Sequence, residues 1–270
     1  MMELPKGDRK IYVFKVIGFL TESRPLIGWS GSFVSAVIRD NVIGGVDVSK
    51  LAVSPLFIGN SRKGVERAVL SGVNGFREVV DAGSRIWFTF SIVSKDFPNE
   101  IAEKLSSGVV GPFNVSELEF EVVSEFSSSL ASNYFRYVDA SGRGLVEVFF
   151  YPTIFVFHGW RVLYPSPQRL VFGLAKSAAE LLGVNPKLAK KRARTLSRAI
   201  ELVHNKTRVV SVDIGGNRVV KAFMGKAVYG VKGLENLRDF IDLLNFGGKI
   251  NIGKSRGIGF GFYRFKILKR

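Results

Sequence analysis

Cysteine is absent from this chain of 270 residues, and histidine occurs only twice, as His158 and His204. The lack of cysteine excludes disulfide bonds, thiolate metal ligands and a cysteine nucleophile. Two isolated histidines do not form a typical zinc site without carboxylates, and no Asp/Glu cluster has metal-binding spacing. No nucleophile elbow indicates Ser/His/Asp chemistry either. We therefore expect a protein without a metal ion or a cofactor.

Long apolar runs are also lacking. No stretch reaches the roughly 18 unbroken apolar residues that a membrane span needs. The first residues, Met1–Asp8, are polar and contain no apolar signal-peptide core. The absence of cysteine fits a reducing compartment. These observations predict a soluble, cytoplasmic protein with no membrane partner.

Acidic residues are scarce relative to basic ones. Lysine and arginine together number 39 against 23 acidic residues, which gives a formal net charge of +16. Such an excess predicts a polyanionic partner, either nucleic acid or an anionic membrane surface; the alternative is a basic but inert surface. Apolar residues make up 46% of the chain. That share suffices for packed cores, and the length suits one large domain or two of ordinary size.

The first half of the chain predicts strands and helices in the order of a ferredoxin-like β-α-β-β-α-β unit. Alternating apolar residues indicate strands, and apolar residues three and four apart indicate helices. The segment from Lys63 to Val80 shows neither pattern clearly. The predicted elements are a strand at Arg9–Leu20, a helix at Trp29–Arg39, strands at Leu51–Ile58 and Arg85–Val93, a helix at Pro98–Leu105 and a strand at Leu118–Phe126.

The second half repeats this order without detectable sequence repetition, so the predicted fold class is α+β with two tandem ferredoxin-like domains. A serine-rich, polar segment suggests a linker, which divides the chain into domains at 1–126 and 145–270 with the linker at 127–144. The predicted elements are a strand at Leu145–His158, helices at Pro167–Leu182 and Pro186–Val203, strands at Thr207–Ile214 and Arg218–Val231, a helix at Leu234–Leu244 and a strand at Gly257–Leu268.

A glycine-rich stretch, Gly247–Phe265, surrounds Lys254 and Arg256. Glycine permits positive φ and close approach of the backbone, and successive exposed N–H groups form anion-binding concavities. The string Gly248–Ser255 also fits the mononucleotide loop, but that loop follows a strand and opens a helix, whereas a helix pattern precedes this one. The dinucleotide fingerprint fails for the same reason. We interpret the stretch as a phosphate-binding loop; a bulged edge strand is the alternative.

The predicted helix after Pro186 carries six cations and no acidic residue until Glu201. Leu188, Leu196, Ile200 and Val203 form its apolar stripe, which leaves most cations on the opposite face. The alternative to phosphate binding is an ordinary solvated face. The cations of this basic ridge are Lys187, Lys190, Lys191, Arg192, Arg194 and Arg198.

At the glycine stretch the sequence resembles the RAMP superfamily of CRISPR systems and, more narrowly, the Cas six family of endoribonucleases that process precursor CRISPR RNA. That family's loop reads G-h-G-x5-G-h-G, with h apolar and a cation among the five. Here Asn251-Ile252-Gly253 and Gly259-Phe260-Gly261 flank the five residues Lys254–Ile258. Asn251 stands where the family pattern has its first glycine. This is a mild departure from the pattern, because asparagine tolerates left-handed backbone. The stretches Val162–Phe172 and Ala52–Leu56 are also similar to the family.

The resemblance implies metal-independent RNA cleavage, in which the 2′-hydroxyl attacks the adjacent phosphate. The products are a 2′,3′-cyclic phosphate and a free 5′-hydroxyl. Many members use a histidine in the first half, and this chain has none before His158. Some members lack that histidine and act through lysines and arginines. The resemblance implies Lys50 and Arg24 as candidate catalytic residues in a cleft opposite the glycine loop, because both lie in the region where the family places its catalytic groups. The alternative is that they are ordinary surface cations. The candidate RNA-binding residues are Gly253, Lys254, Ser255, Arg256, Gly257 and Gly259 of the loop, with Lys187, Lys190, Lys191 and Arg194 of the basic ridge.

The expected partners are CRISPR repeat RNA in precursor crRNA and, potentially, CRISPR effector subunits, with the chain acting as a monomer or homodimer. Two other functions stay open. A non-catalytic RAMP subunit would bind guide RNA within an interference complex, and the missing early histidine favours it. A nucleotide enzyme built on the imperfect mononucleotide loop would need Mg²⁺ for nucleotide binding.

Overall fold

A computed structural model of the protein describes residues 9–44, 51–60, 65–123 and 142–268. Its strands are β1 (Lys10–Leu20), β2 (Arg24–Leu26), β3 (Ala52–Val53), β4 (Phe57–Asn60), β5 (Val65–Ala68), β6 (Glu78–Val80), β7 (Arg85–Ser94), β8 (Val109–Val110), β9 (Phe113–Val123), β10 (Arg143–Thr153), β11 (Phe155–Phe157), β12 (Trp160–Val162), β13 (Ile200–Asp213), β14 (Val219–Lys232) and β15 (Tyr263–Leu268). Its α-helices are α1 (Ser30–Ile38), α2 (Asn99–Ser106), α3 (Pro167–Leu182), α4 (Pro186–Arg198) and α5 (Leu234–Ile250). No helix within these ranges is long and apolar enough to cross a membrane.

The first unit is a ferredoxin-like sheet covered by α1 and α2. Among the described residues it has seven strands in the order β5-β4-β7-β1-β9-β8, with β3 also paired to β7. Strand β1 lies at the centre, antiparallel to β7 and to β9. It is apolar on both faces because each face is covered: Phe14 and Val16 join the helix-side core, and Ile11 and Ile17 pack against the second unit.

The second unit repeats the arrangement with its own four-stranded sheet, in the order β13-β14-β10-β15. The first strand of the motif, β10, again lies centrally between the third (β14) and the fourth (β15). Helices α3 and α5 supply Leu170, Leu174 and Phe240 to a core that includes Val148 of β10. The prediction of two tandem ferredoxin-like units in an α+β fold is confirmed.

The two units share apolar cores. One cluster places Trp29, which is fully buried, against Val212 and Phe260 of the second unit. The guanidinium of Arg264, on β15, stacks 4.6 Å from the ring centroid of Phe57 in the first unit, and it also pairs with Glu66. Burying aromatic surface on both sides stabilises the contact by the hydrophobic effect, so the units pack as one body.

The predicted linker lies almost wholly on residues 124–141, outside the described residues. The sheets divide at the same place, since β9 ends at Val123 in one sheet and β10 begins at Arg143 in the other. The division into 1–126, 127–144 and 145–270 stays a prediction.

The prediction of a helix from Pro186 to Val203 is wrong beyond Arg198. Helix α4 ends there, and β13 begins at Ile200. The residues after Ala199 pair with β14 along a long antiparallel ladder, and those tertiary hydrogen bonds outweigh the local helical spacing. His204 therefore lies in a strand rather than at a helix C-terminus, and Val203 is about half exposed rather than part of a helical stripe.

Two further boundaries near the glycine stretch differ from prediction. The long strand Leu145–His158 breaks at Ile154 into β10 and β11. Helix α5 continues past Leu244 to Ile250, so Gly247 and Gly248 are helical, and the last strand begins at Tyr263 rather than Gly257. A side chain at Gly247 would overlap Leu174 of α3. Close helix packing thus compensates for glycine's low helix propensity.

Two carboxylates of the second unit have shifted pKa values. Burial raises the pKa of Asp242 from 3.8 to about 6; Arg238 opposes this and Asp239 adds to it. Burial would also raise the pKa of Glu147, but its two lysine partners outweigh that effect and lower it. Glu147 lies on β10 between Lys226 of β14 at 3.2 Å and Lys266 of β15 at 3.1 Å.

Candidate nucleic-acid interface

The glycine loop runs from Asn251 to Phe262, between α5 and β15, and contains a single 3₁₀ turn at Arg256–Ile258. Hydrogen bonds fasten it to the β10–β11 connection: Lys254 N–H donates to Ile154 O at 2.9 Å, and Gly261 N–H donates to Pro152 O at 2.9 Å. A helix precedes this loop and a strand follows it. That order is opposite to the mononucleotide loop, so the geometry disfavours the nucleotide-enzyme alternative.

Gly259 fits the loop against the first unit. Its φ is +83°, and a Cβ there would lie 2.6 Å from the Cα of Gly31, at the start of α1. A side chain on either glycine would force the two units apart. Gly257 and Gly259 are buried, whereas Gly253 is exposed. The predicted RNA contacts of Gly257 and Gly259 stay predictions, and the observed neighbours of Gly259 are protein atoms.

The exposed part of the loop is its turn at Lys254 and Ser255. The Lys254 side chain is exposed, and Ser255 has a left-handed backbone with φ +64°. Within the described chain, backbone acceptors take the N–H groups of Ile258, Gly259, Phe260 and Gly261. No backbone acceptor among the described residues takes those of Ser255 or Arg256, and Gly257 is buried. The N–H groups of Ser255 and Arg256 lie next to the exposed Lys254, an arrangement suited to an anion.

Arg256 points inward rather than outward. Its Nη1 donates to Ser177 Oγ of α3 at 3.1 Å, and its side chain lines a cavity of about 10 Å³ with Leu51 and Leu181. Burial lowers the pKa of Arg256 and Glu180 opposes this shift, but a guanidinium remains charged. Arg256 thus lies at the junction of the two units, and its predicted phosphate contact stays a prediction.

Asn251 connects the loop to the first unit. It is 4% exposed, and its Nδ2 donates to Val53 O of β3 at 2.7 Å and to Phe260 O at 3.2 Å. Its backbone has φ 58° and ψ 172°, a region that glycine alone adopts easily. Asn251 therefore adopts the positive φ that the sequence predicts at this glycine position, and two buried hydrogen bonds hold it at a ψ outside the left-handed helical region.

The two candidate catalytic residues differ in what surrounds them. Lys50 lies outside the described residues, but the next residue, Leu51, is buried and lines the cavity beside Arg256. Arg24 lies in the small β2–β6 sheet and forms an ion pair with Glu22. Both assignments stay predictions. Leu51, the residue after Lys50, lines the same cavity as Arg256 of the glycine loop, whereas Arg24 pairs with Glu22.

The basic ridge lies on the outer face of α4. Ala193, Leu196 and Ser197 are buried on its inner face. All six cations are exposed, and none forms an ion pair with another described residue. The ridge consists of Lys187, Lys190, Lys191, Arg192, Arg194 and Arg198.

Sequence reasoning missed a short hairpin beside the loop. Strands β11 and β12 pair from Phe155 opposite Val162 to Phe157 opposite Trp160, whereas the sequence predicts one strand that continues to His158. The available signal was Gly159, which follows His158 between two short apolar runs. Elsewhere in the described residues, no group of three His, Cys, Asp or Glu side chains could hold a metal ion.

The sequence model of the family "CRISPR-associated endoribonuclease Cas6" matches residues 148–263. The match begins in β10 and ends at the first residue of β15, so it contains the hairpin, the basic ridge and the whole glycine loop. The second unit is similar to this family over most of its length. The resemblance stated from the glycine pattern is thereby confirmed.

Solved Cas6 structures share the fold of the whole chain. A Cas6 product complex superposes with a TM-score of 0.56 at 17% identity, covering 94% of this chain and 99% of that chain. Thermus thermophilus Cas6 gives 0.54 at 13% identity, covering 96% and 98%. A chain of a partial Cas6-RT-Cas1–Cas2 complex gives 0.63 at 14% identity, covering 99% of this chain and 47% of that one. No curated protein matches the sequence.

Proposed function

We propose that the protein is an endoribonuclease that binds CRISPR repeat RNA and cleaves precursor crRNA. The Cas6 match across residues 148–263 carries this proposal, because the matched segment includes the glycine loop, which exposes Lys254. Net charge supports the substrate class: a chain of +16 attracts a polyanion at long range. The relatives named as product and substrate-mimic complexes share the fold.

The basic ridge supplies a second phosphate contact in this proposal. Its cations have no acidic partner among the described residues, so an RNA backbone meets no internal competitor there. Each neutralised phosphate releases counterions and steepens the salt dependence of binding, by about 0.7 in the logarithmic slope for a single strand. Replacing Lys190 and Lys191 with alanine is expected to lower that slope by about one to two while leaving the sequence preference unchanged.

Cleavage in this proposal proceeds without a metal ion. The ribose 2′-hydroxyl attacks the adjacent phosphorus, and the 5′-oxygen leaves, which yields a 2′,3′-cyclic phosphate and a 5′-hydroxyl. Charge develops on the phosphoryl oxygens, and fixed cations stabilise it. Holding the attacking and leaving oxygens in line contributes several kcal/mol more in favourable cases. The candidate catalytic cations are Lys50, which precedes the buried Leu51 in the sequence, and Arg24, which would exchange its partner Glu22 for a phosphate.

The test is a cleavage assay with a CRISPR repeat RNA and analysis of the product ends. We expect discrete fragments with cyclic phosphate ends, unaffected by EDTA. Lys50→Ala and Arg24→Ala are each expected to slow cleavage at saturating RNA with little change in affinity. A strict metal requirement contradicts the chemistry, and wild-type rates in either variant remove that residue from the mechanism.

A non-catalytic RAMP-type subunit is the second candidate, favoured by the lack of any histidine before His158. Such a protein would bind guide RNA, retard it in a gel and leave it intact. The related chain in a Cas6-RT-Cas1–Cas2 complex shows this fold within a larger CRISPR assembly. We therefore propose other CRISPR subunits as further partners under either function. Product analysis of the isolated protein separates the two.

A further inference from the structure

The β11–β12 hairpin exposes aromatic side chains at its tip. Its base is anchored, because Phe155 is 3% exposed and belongs to the core of the second unit. At the tip, on the same face, Phe157 is 43% exposed and Trp160 is 79% exposed. Directly opposed strand residues lie on one side of a hairpin, so these two rings form a single apolar surface. The exposure of these two rings is unfavourable, because burying them would stabilise the folded protein.

The turn that holds this surface is a tight two-residue turn. His158 and Gly159 both have positive φ, 46° and 84°, as in the turns that match strand twist. Histidine is one of the residues enriched among those other than glycine that adopt positive φ. The turn therefore holds Phe157 and Trp160 opposite each other at the tip.

A cation lies against the aromatic surface. The guanidinium carbon of Arg169, in the first turn of α3, lies 3.4 Å from the ring centroid of Phe157. Arg161 is exposed on the opposite face of the hairpin, where it pairs with Val156. No acidic residue occurs between Glu147 and Glu180. Aromatic rings interleaved with cations suit a single-stranded nucleic acid, whose bases stack while its phosphates pair.

The hairpin also adjoins the glycine loop. Lys254 N–H donates to Ile154 O, the residue immediately before β11, at 2.9 Å. A Cβ on Gly253 would contact the ring of Phe155 at 3.4 Å. The loop and the aromatic tip therefore project from the same edge of the second unit, and one RNA strand can contact both.

We propose that the β11–β12 hairpin is a stacking platform for an unpaired base of the RNA substrate, with Trp160 and Phe157 as the stacking surface and Arg169 beside its phosphates. This inference rests on the proposed RNA-binding function. It adds a preference for a single-stranded segment next to the loop, since paired bases cannot present their faces to a protein ring.

Tryptophan fluorescence tests the platform directly. The chain has three tryptophans, and Trp29 and Trp87 are 0% and 5% exposed. Quenching by an added base therefore reports on Trp160. We expect an eight-nucleotide oligoadenylate to quench emission of the full-length protein. An abasic ribose-phosphate oligomer of equal length is expected to bind at low salt without quenching. Equal quenching by both oligomers overturns the proposal.

Binding of variants provides the second readout. Trp160→Ala is expected to weaken oligoadenylate binding about 5- to 150-fold, the range for loss of one stacked base, and Trp160→Phe to recover part of that loss. Phe76→Ala is the matched control, because Phe76 is 55% exposed in the first unit, and wild-type affinity is expected. Thermal unfolding verifies that all three variants fold.

The outcomes separate this inference from the proposed function. A wild-type protein that ignores repeat RNA contradicts the proposed function itself. A wild-type protein that binds and cleaves repeat RNA, with Trp160→Ala binding oligoadenylate equally well, contradicts the platform alone. If Trp160→Ala changes only the oligomeric state in sedimentation, the surface is a contact between copies of the chain and the platform is likewise overturned.

Discussion

Asn251 offers the sharpest test of how the glycine loop is held. Its backbone is in a conformation that costs roughly 1–3 kcal/mol for a residue other than glycine. Its side chain contributes two buried hydrogen bonds, to Val53 O at 2.7 Å and Phe260 O at 3.2 Å. Each such bond contributes about 0.5–1.5 kcal/mol, and a carbonyl left without a partner costs more.

Replacement by alanine removes both bonds and keeps the strain, so Asn251→Ala is expected to lower the free energy of unfolding by about 2–3 kcal/mol. Replacement by glycine removes the same bonds but relieves the strain, so Asn251→Gly is expected to be about 1–2 kcal/mol more stable than the alanine variant. Urea unfolding at pH 7 measures both. Val53 belongs to β3, which follows Lys50 closely in the sequence. The rate of RNA cleavage is therefore expected to fall in both variants.

Asn217 provides the control. It also has positive φ, 57°, but is exposed in the turn between β13 and β14. Asn217→Ala and Asn217→Gly test backbone strain without buried hydrogen bonds, so the glycine variant is expected to be near wild-type stability. If Asn251→Gly unfolds as easily as Asn251→Ala, strain at residue 251 is refuted. If Asn251→Ala is as stable as the wild type, the two hydrogen bonds contribute nothing.

Four further substitutions probe the packing and electrostatics of the fold. Gly259→Ala places a Cβ 2.6 Å from the Cα of Gly31 at positive φ, so a loss of about 3 kcal/mol or more is expected in urea unfolding. As the control, Gly248→Ala places a Cβ in open space inside α5, so the free energy of unfolding is expected to rise by about 0.5–1 kcal/mol. A Gly259→Ala variant as stable as the wild type contradicts the close contact between Gly259 and Gly31. The pKa of Asp242 is raised to about 6, so the contribution of Asp242 to stability falls as pH rises from about 4 to 7. Without solvent screening the shift corresponds to about 3 kcal/mol, and screening at this partly exposed site reduces it to about 1 kcal/mol. Asp242→Asn should therefore stabilise the protein by that amount at pH 7 and not at pH 3.5, and equal effects at both pH values refute the reasoning. The pKa of Glu147 is lowered, so its contribution is present at neutral pH and is lost as pH falls through the folded-state value. Glu147→Gln should be less stable than the wild type at pH 7, with the difference shrinking on acidification; a constant difference contradicts it.

Local periodicity predicted most elements well. The bounds of β1, β7 and α3 agree with prediction within one residue, because each has a strong apolar pattern and clear flanking signals. The repeated element order was enough to predict a doubled ferredoxin-like fold. The glycine spacing was enough to indicate the family. Glycine adopts positive φ far more readily than other residues do, so positions that require positive φ are recognisable in the sequence.

Other features depended on contacts between distant residues. Local spacing could not end α4 at Arg198, since β14 supplies the partner that converts the following residues into a strand. The inward orientation of Arg256 depends on Ser177 in α3. The hairpin before α3 is short, and its anchoring in the core through Phe155 is a tertiary contact.

The sequence by itself determined the charge, the order of elements and the identity of the loop, because these follow from residue types and short-range spacing. Tertiary structure alone decided which glycines contact protein and which side chains reach the surface. It joined Asn251 to Val53 and placed the aromatic hairpin beside Lys254. Such pairings join residues far apart in the chain, and their energies depend on burial and distance, which residue spacing does not encode.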